Sequence, residues 1–228
     1  MTGGPAPAPE ELLGRLAAVR RRIEAAGGDP GAVTVVAVTK GFDAAAVEAA
    51  LRAGLTDIGE NYAEELLAKA ARVGPGPVRW HYLGAVQRRK VGRLAPVVAC
   101  WQGVGRVEEG RSILAHGRAP VFVEVALHDA AHRPGVAPGD VGALVGELQA
   151  LGLEVRGLMA VGPPGPPEAA RPGFRTVVRL ARDLGLAEVS AGMSDDLEVA
   201  VAEGATMVRL GRALFGARPP GKVRVGTR

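Results

Sequence analysis

A single closed (β/α)8 barrel of the TIM type is the fold class this sequence predicts, and three observations predict it. Apolar strand-like runs alternate with amphipathic helical stretches about eight times along the chain, the pattern of a parallel sheet with helical crossovers. The whole series fits in 228 residues with 47% hydrophobic content, the scale of one domain with a sizeable core. Nothing after the eighth strand is long enough for another domain, so we expect one barrel over residues 10–216 and no second β-rich domain. A proline-rich start over 1–9 and the segment 217–228 read as tails, the first of them disordered. A doubly wound open sheet is the weaker alternative.

The elements follow in order. Leu12, Leu13, Leu16, Val19 and Ile23 recur at helical spacing, so 10–26 reads as a helix stopped by Gly27 and Gly28. Residues 34–40 form a β-branched run between Gly31 and Gly41, which reads as a buried strand ending on Lys40. Residues 43–53 read as a helix closed by Gly54, 56–61 as a short strand and turn, and 63–72 as a helix. The third strand is 79–84, followed by a basic helix from Gln87; the fourth is 97–101, followed by a helix over 108–116. Residues 121–126 form the fifth strand, after which a loop over 128–138 leads into a helix ending near Leu151. The sixth strand is 153–160, a proline-rich loop occupies 162–172, and 174–184 is helical. Residues 188–191, 197–203 and 206–210 complete the series as strand, helix and strand.

Composition narrows the function classes. The formal charge is +4 with a pI near 9.7, but the basic clusters at Arg20, Arg21 and Arg22 and at Arg88, Arg89 and Lys90 fall on helices. Aromatics make up only 4% of the chain, so solvated helix faces explain these clusters better than nucleic acid does. One cysteine, Cys100, excludes an internal disulfide and reads as a buried thiol in a reducing compartment. No apolar run spans a bilayer and no signal peptide is present, so we expect a cytoplasmic protein without a membrane partner. His116, His128 and His132 lack metal-ligand spacing, Gly103 and Gly105 have no third glycine for a dinucleotide loop, and no nucleophile-elbow motif occurs.

The chemistry gathers at strand ends. In a barrel of this kind the active site lies at the carboxyl ends of the strands, which should bring Lys40, Asn61, Gly84, Ser194 and Gly211 to one mouth. Only four lysines stand against 24 arginines, and three of the four sit in polar or helical surroundings. Lys40 is the exception: beside low-dielectric walls it suits a Schiff-base nucleophile, although the segment by itself favours a solvated strand-end lysine. The turns after strands seven and eight are where this architecture binds phosphate, and Gly192 and Gly211 let the backbone approach an anion. Asp195 and Glu198 have capping-box spacing, which frees the Ser194 hydroxyl for a ligand. Arg209 alternates with Val208 and Leu210, so its guanidinium is enclosed and needs a partner, either a ligand atom or a buried carboxylate. His81 fits a mouth-facing contact or a satisfied core histidine. A Schiff-base lysine, a phosphate cradle and an enclosed arginine together describe a pyridoxal 5'-phosphate site.

The segments Ala37-Val38-Thr39-Lys40, Ile58-Gly59-Glu60-Asn61-Tyr62, and Trp80-His81-Tyr82-Leu83-Gly84 with Gln87 and Lys90 carry a family resemblance. So do Arg156-Gly157-Leu158-Met159-Ala160, Gly192-Met193-Ser194-Asp195-Asp196-Leu197, and Met207-Val208-Arg209-Leu210-Gly211 with Phe215 and Gly216. Together they resemble the pyridoxal phosphate homeostasis proteins, which are similar to the barrel domain of alanine racemase (fold type III of pyridoxal phosphate proteins) without its β-rich domain. The resemblance implies a cofactor held covalently by Lys40, with Ser194 and the amides around Gly211 on the phosphate and Arg209 facing the pyridine nitrogen. Asn61, His81 and Arg212 complete the expected cofactor contacts. The sequence departs from the family in placing Arg212 where Ser or Thr is usual, Ala126 where Asn is usual, Arg133 where Lys is usual and Ala191 where Met is usual. The function implied is non-catalytic buffering or delivery of the cofactor, affecting amino-acid and keto-acid balance, with pyridoxal-phosphate-dependent apoenzymes as partners. A one-domain amino-acid racemase and a Schiff-base aldolase on a phosphorylated sugar are the alternatives. No exposed apolar helix stands out, so a monomer is expected.

Overall fold

The computed structural model describes residues 7–127 and 135–217. Most of the expected amino-terminal tail, His128, His132 and Arg133 of the long loop, and nearly all of the carboxyl-terminal tail lie outside the described residues.

The chain opens with helix α1 (Pro9–Ala25), started by a proline in its first turn and by Glu10 and Glu11 at its positive end. Its buried stripe is Leu12, Leu16, Val19 and Ile23. The barrel follows as β1 (Thr34–Val38), α2 (Ala44–Arg52), β2 (Asp57–Glu60), α3 (Ala63–Val73), β3 (Arg79–Tyr82), α4 (Arg88–Leu94), β4 (Val98–Val104) and α5 (Val107–Leu114). It continues with β5 (Val121–Val125), α6 (Val141–Ala150), β6 (Val155–Ala160), α7 (Arg171–Asp183), β7 (Glu188–Ser190), α8 (Leu197–Ala202), β8 (Met207–Leu210) and α9 (Arg212–Phe215). The strands pair in sequence order, all parallel, and β1 closes the sheet on β8 with Val36 opposite Arg209.

Three of the boundaries that differ from the sequence-based expectation bear on the site or on the helices around it. β1 ends at Val38, which leaves Thr39 and Lys40 in the turn beyond it. β4 runs on through Gln102 and Gly103 to Val104, because the neighbouring strand carries the ladder past the polar residue that seemed to end the run. The proline-rich loop contains a 3-10 turn at Pro167–Ala170, and α7 begins directly after it with Pro172 in its first turn, where a missing N–H costs nothing.

Strand alternation divides the core in two. Outward-facing Ala37, Ile58, Trp101, Val123, Leu158 and Val208 pack against the helices in one large cluster. Inward-facing Val36, Cys100, Phe122, Met159 and Met207 form a separate small cluster inside the barrel. Much of the remaining barrel interior is polar: His81, Gln102, Glu124, Ser190 and Arg209 are all buried. Helix α1 ties the two ends of the chain together, for Arg15 donates to the Leu214 carbonyl at 3.0 Å. Arg22 donates to the Ser194 carbonyl at 2.9 Å and pairs with Glu198 at 2.5 Å. Among the described residues no helix is long and apolar enough to cross a membrane.

Candidate functional site

Lys40 is half-buried two residues past the end of β1, next to Thr39, whose N–H still reaches the Gly59 carbonyl at 3.1 Å. The peptides on either side of it are anchored. The Thr39 carbonyl accepts from the Lys69 ammonium at 2.7 Å, and the Gly41 N–H donates to Glu65 at 2.9 Å. The Thr39 hydroxyl donates to Glu60 Oε1 at 2.6 Å, and Lys69 Nζ reaches the same oxygen at 2.5 Å. Glu60 is fully enclosed and Lys69 is only 5% exposed. The lysine expected in ordinary helical surroundings is therefore a buried one, and its charge-paired clamp holds the turn that presents Lys40. Burial pushes the Glu60 carboxyl above its usual range, with the Lys69 ammonium pulling against that rise.

Asn61 follows β2 at the same end of the barrel. Its Oδ1 is buried and has no hydrogen-bond donor among the described residues. The loops here are pressed together, since a Cβ on Gly84 would fall 2.2 Å from the Asn61 carbonyl oxygen.

The turns after β7 and β8 are joined by the Ala213 N–H, which donates to Ser194 Oγ at 3.0 Å. Gly192 has φ +92°, and a Cβ there would lie 2.7 Å from the Ala200 methyl. The capping box expected at Asp195 does not form. Helix α8 starts two residues later, Asp196 accepts from the Met193 N–H at 2.6 Å, and Glu198 turns to Arg22. Asp195 is instead the ion-pair partner of Arg212, and both are exposed. Arg212, expected on the phosphate, therefore has its guanidinium engaged by an outward carboxylate.

Arg209 points into the barrel. Its Nη1 donates to the Ser190 carbonyl at 2.7 Å and to Ser190 Oγ at 2.6 Å, and its Nη2 donates to the Ala160 carbonyl at 2.8 Å. These bonds leave the Nε–H and a second Nη2 hydrogen for another acceptor. Burial pushes the guanidinium down to about 10, opposed by the carboxylates of Glu124 and Asp196, so it stays charged at neutral pH.

His81 does not stand at the mouth. Its Nε2 lies 2.9 Å from Asp57 Oδ1 and its Nδ1 lies 2.7 Å from the Gln102 amide nitrogen, so both ring nitrogens have protein partners. Burial pushes the Asp57 carboxyl up, but the hydrogen bonds from His81 and Arg79 and the charge of the Arg79 guanidinium outweigh it and bring it to about 2. At the amino-terminal end of the strands, opposite Lys40, a cavity of about 380 Å³ is lined by Asp57, Arg79, His81, Cys100, Arg156 and Glu188, among others. Burial raises the Cys100 thiol to about 12. Asp57, Glu60, Lys69, Gln102 and Ser190 were not singled out in the sequence. Only strand alternation on β2 and β7 carried a signal, placing Asp57 with Asn61 and Ser190 with Gly192 on the inner face.

A one-barrel protein with a lysine at the carboxyl end of its first strand defines the class, and the chain matches the family "Alanine racemase, N-terminal domain" over residues 14–219. It is 40% identical over 221 residues to a pyridoxal phosphate homeostasis protein of Pseudomonas aeruginosa, an alignment covering 92% of this chain and 96% of that one. The solved structure of PipY from Synechococcus elongatus without pyridoxal phosphate superposes with a TM-score of 0.81, at 30% identity over 90% of this chain and all of that one. The same protein with pyridoxal phosphate bound gives 0.78 at the same identity and coverage. The chain thus belongs to the pyridoxal phosphate homeostasis protein family, whose barrel is of the alanine racemase type.

Proposed function

We propose that this protein binds pyridoxal 5'-phosphate through a Schiff base to Lys40 and holds it for buffering or delivery to apoenzymes that depend on it, as a cytoplasmic monomer. The observation that carries the reading is the mouth itself. A clamped lysine turn, the unsatisfied Asn61 Oδ1 and two hooked glycine turns at Ser194 and Gly211 stand at the same ends of the strands as an arginine with N–H donors to spare. These groups suit the cofactor's aldehyde, its phosphate and its ring nitrogen. Arg209 also favours retention over turnover. A charged guanidinium cannot take up a proton, so a pyridine nitrogen beside it stays unprotonated and the ring is a poorer electron sink for carbanion chemistry. The names of the relatives, and the pyridoxal phosphate seen in PipY, support the ligand.

The test is the near-visible absorbance of the purified protein before and after borohydride reduction, beside Lys40→Ala. A band that reduction abolishes and the variant lacks is expected. A colourless protein that takes up no added cofactor overturns the reading and favours the aldolase alternative. Accumulation of D-amino acid from L-alanine or L-serine at an enzyme-like rate by the loaded protein favours a racemase instead.

A further inference from the structure

Five of the polar residues inside the barrel form a hydrogen-bonded series. Arg209 Nη1 donates to Ser190 Oγ, and Ser190 Oγ donates to Gln102 Oε1 at 2.7 Å. The Gln102 amide nitrogen lies 2.7 Å from His81 Nδ1 and 3.1 Å from Met207 Sδ, and His81 Nε2 lies 2.9 Å from Asp57 Oδ1.

The direction of every bond follows from its ends. An ionised Asp57 only accepts, so His81 must donate from Nε2. An arginine only donates, so the Ser190 oxygen is an acceptor toward it and sends its own proton to Gln102 Oε1. The amide then presents its nitrogen to His81, whose Nδ1 accepts in the Nε2–H tautomer. A cation near the mouth is thereby joined to an anion at the amino-terminal end by donors that all point one way, through residues that are all buried. Bonds arranged head to tail polarise one another, and each link is stronger for its neighbours.

We propose that Ser190, Gln102, His81 and Asp57 are positioning residues for Arg209: they orient its guanidinium toward the cofactor's ring nitrogen and transmit occupancy of the mouth to the opposite end of the barrel. The proposal rests on the cofactor reading above. When the ring nitrogen accepts a hydrogen bond from Arg209, the bond from Arg209 to Ser190 weakens or strengthens, and the change passes along the series to His81. Coupling of this kind is reciprocal. Disturbing His81 or Asp57, which line the amino-terminal cavity, alters how tightly the mouth holds its ligand.

The experiment is ¹⁵N NMR of histidine-labelled protein, with the His81 signals assigned by their loss in His81→Asn, before and after loading pyridoxal phosphate. In the unaltered chain the near-visible band forms, His81 reports the Nε2–H tautomer, and its nitrogen signals shift on loading although the ring does not touch the cofactor. In Gln102→Leu the band still forms, the His81 signals no longer respond to loading, and cofactor release is about tenfold faster, as expected for one broken buried hydrogen bond. A band without any His81 shift, or an Nδ1–H tautomer, overturns the inference and leaves the cofactor reading standing. Absence of the band in the unaltered chain overturns both. If Gln102→Leu does not fold, the measurement on the unaltered chain decides alone.

Discussion

Replacing Lys69 by methionine tests the buried clamp beneath Lys40. Lys69 is 5% exposed, and its ammonium bonds the fully enclosed Glu60 at 2.5 Å and the Thr39 carbonyl at 2.7 Å. Methionine fills much of the same space without the charge, so the loss is electrostatic rather than a cavity. Removing one partner of a buried pair leaves the other uncompensated, at a cost of about 3–5 kcal/mol. A chain of this length loses roughly 2–4 °C of Tm per kcal/mol, which places the expected drop at about 6–20 °C. The pH dependence supplies the sign. Burial already raises the Glu60 carboxyl above its usual value of 4.5, and without Lys69 the rise is unopposed. A raised carboxyl contributes stability below its unfolded pKa and loses it as pH rises, so the variant's deficit must be larger at pH 8 than at pH 5. Adding Glu60→Gln recovers part of the deficit at pH 8. Thermal or denaturant unfolding at the two pH values is the assay. A deficit under about 1 kcal/mol at pH 8, equal to that at pH 5, would refute the buried-pair argument.

Three further outcomes are expected. Asp57→Asn costs about 2 kcal/mol at neutral pH, and the gap to the unaltered protein closes as pH falls from 3.8 toward about 2, read by acid unfolding curves. Cys100, with its thiol raised to about 12 and its side chain enclosed, reacts with a disulfide reagent at pH 8 only at the rate of unfolding, and reacts at once in denaturant. Gly192→Ala forces a methyl to within 2.7 Å of the Ala200 Cβ at a φ of +92°, and lowers stability by about 2 kcal/mol while loosening retention of the cofactor, measured by unfolding and by dilution.

The barrel was legible because its signals are local. β-branched runs, glycine stops and helical periodicity each need only a dozen neighbouring residues, and together they placed every strand to within a few residues. Arg209 was readable as an enclosed cation from alternation on β8 alone. Lys69 was not, because its place in α3 resembles that of any helical lysine, and only the approach of β1 and β2 shows that its amine lies under a sheet. Gln102 was hidden by a boundary error: ending the fourth strand at Trp101 left it in a turn, where an amide needs no explanation. Asp195 and Glu198 had capping spacing, but the competing cations Arg212 and Arg22, brought in from other segments, took both carboxylates. Of the two readings left open for His81, the structure gives the satisfied core histidine, because its face of β3 meets Asp57 and Gln102 rather than the mouth.

The contacts that α1 makes with the far end of the chain bear on how the protein is born. Arg15 and Arg22 hold the Leu214 and Ser194 carbonyls, and Val36 on the first strand has Arg209 on the last as its neighbour. A ribosome delivers Lys40 early and the residues that complete its surroundings last. On the proposed reading, until about residue 216 has left the exit tunnel a nascent chain has Lys40 without the turns proposed to cradle the phosphate and without the arginine proposed to face the ring nitrogen. If Lys40 captures an aldehyde as proposed, vectorial synthesis delays that capture until the barrel can close.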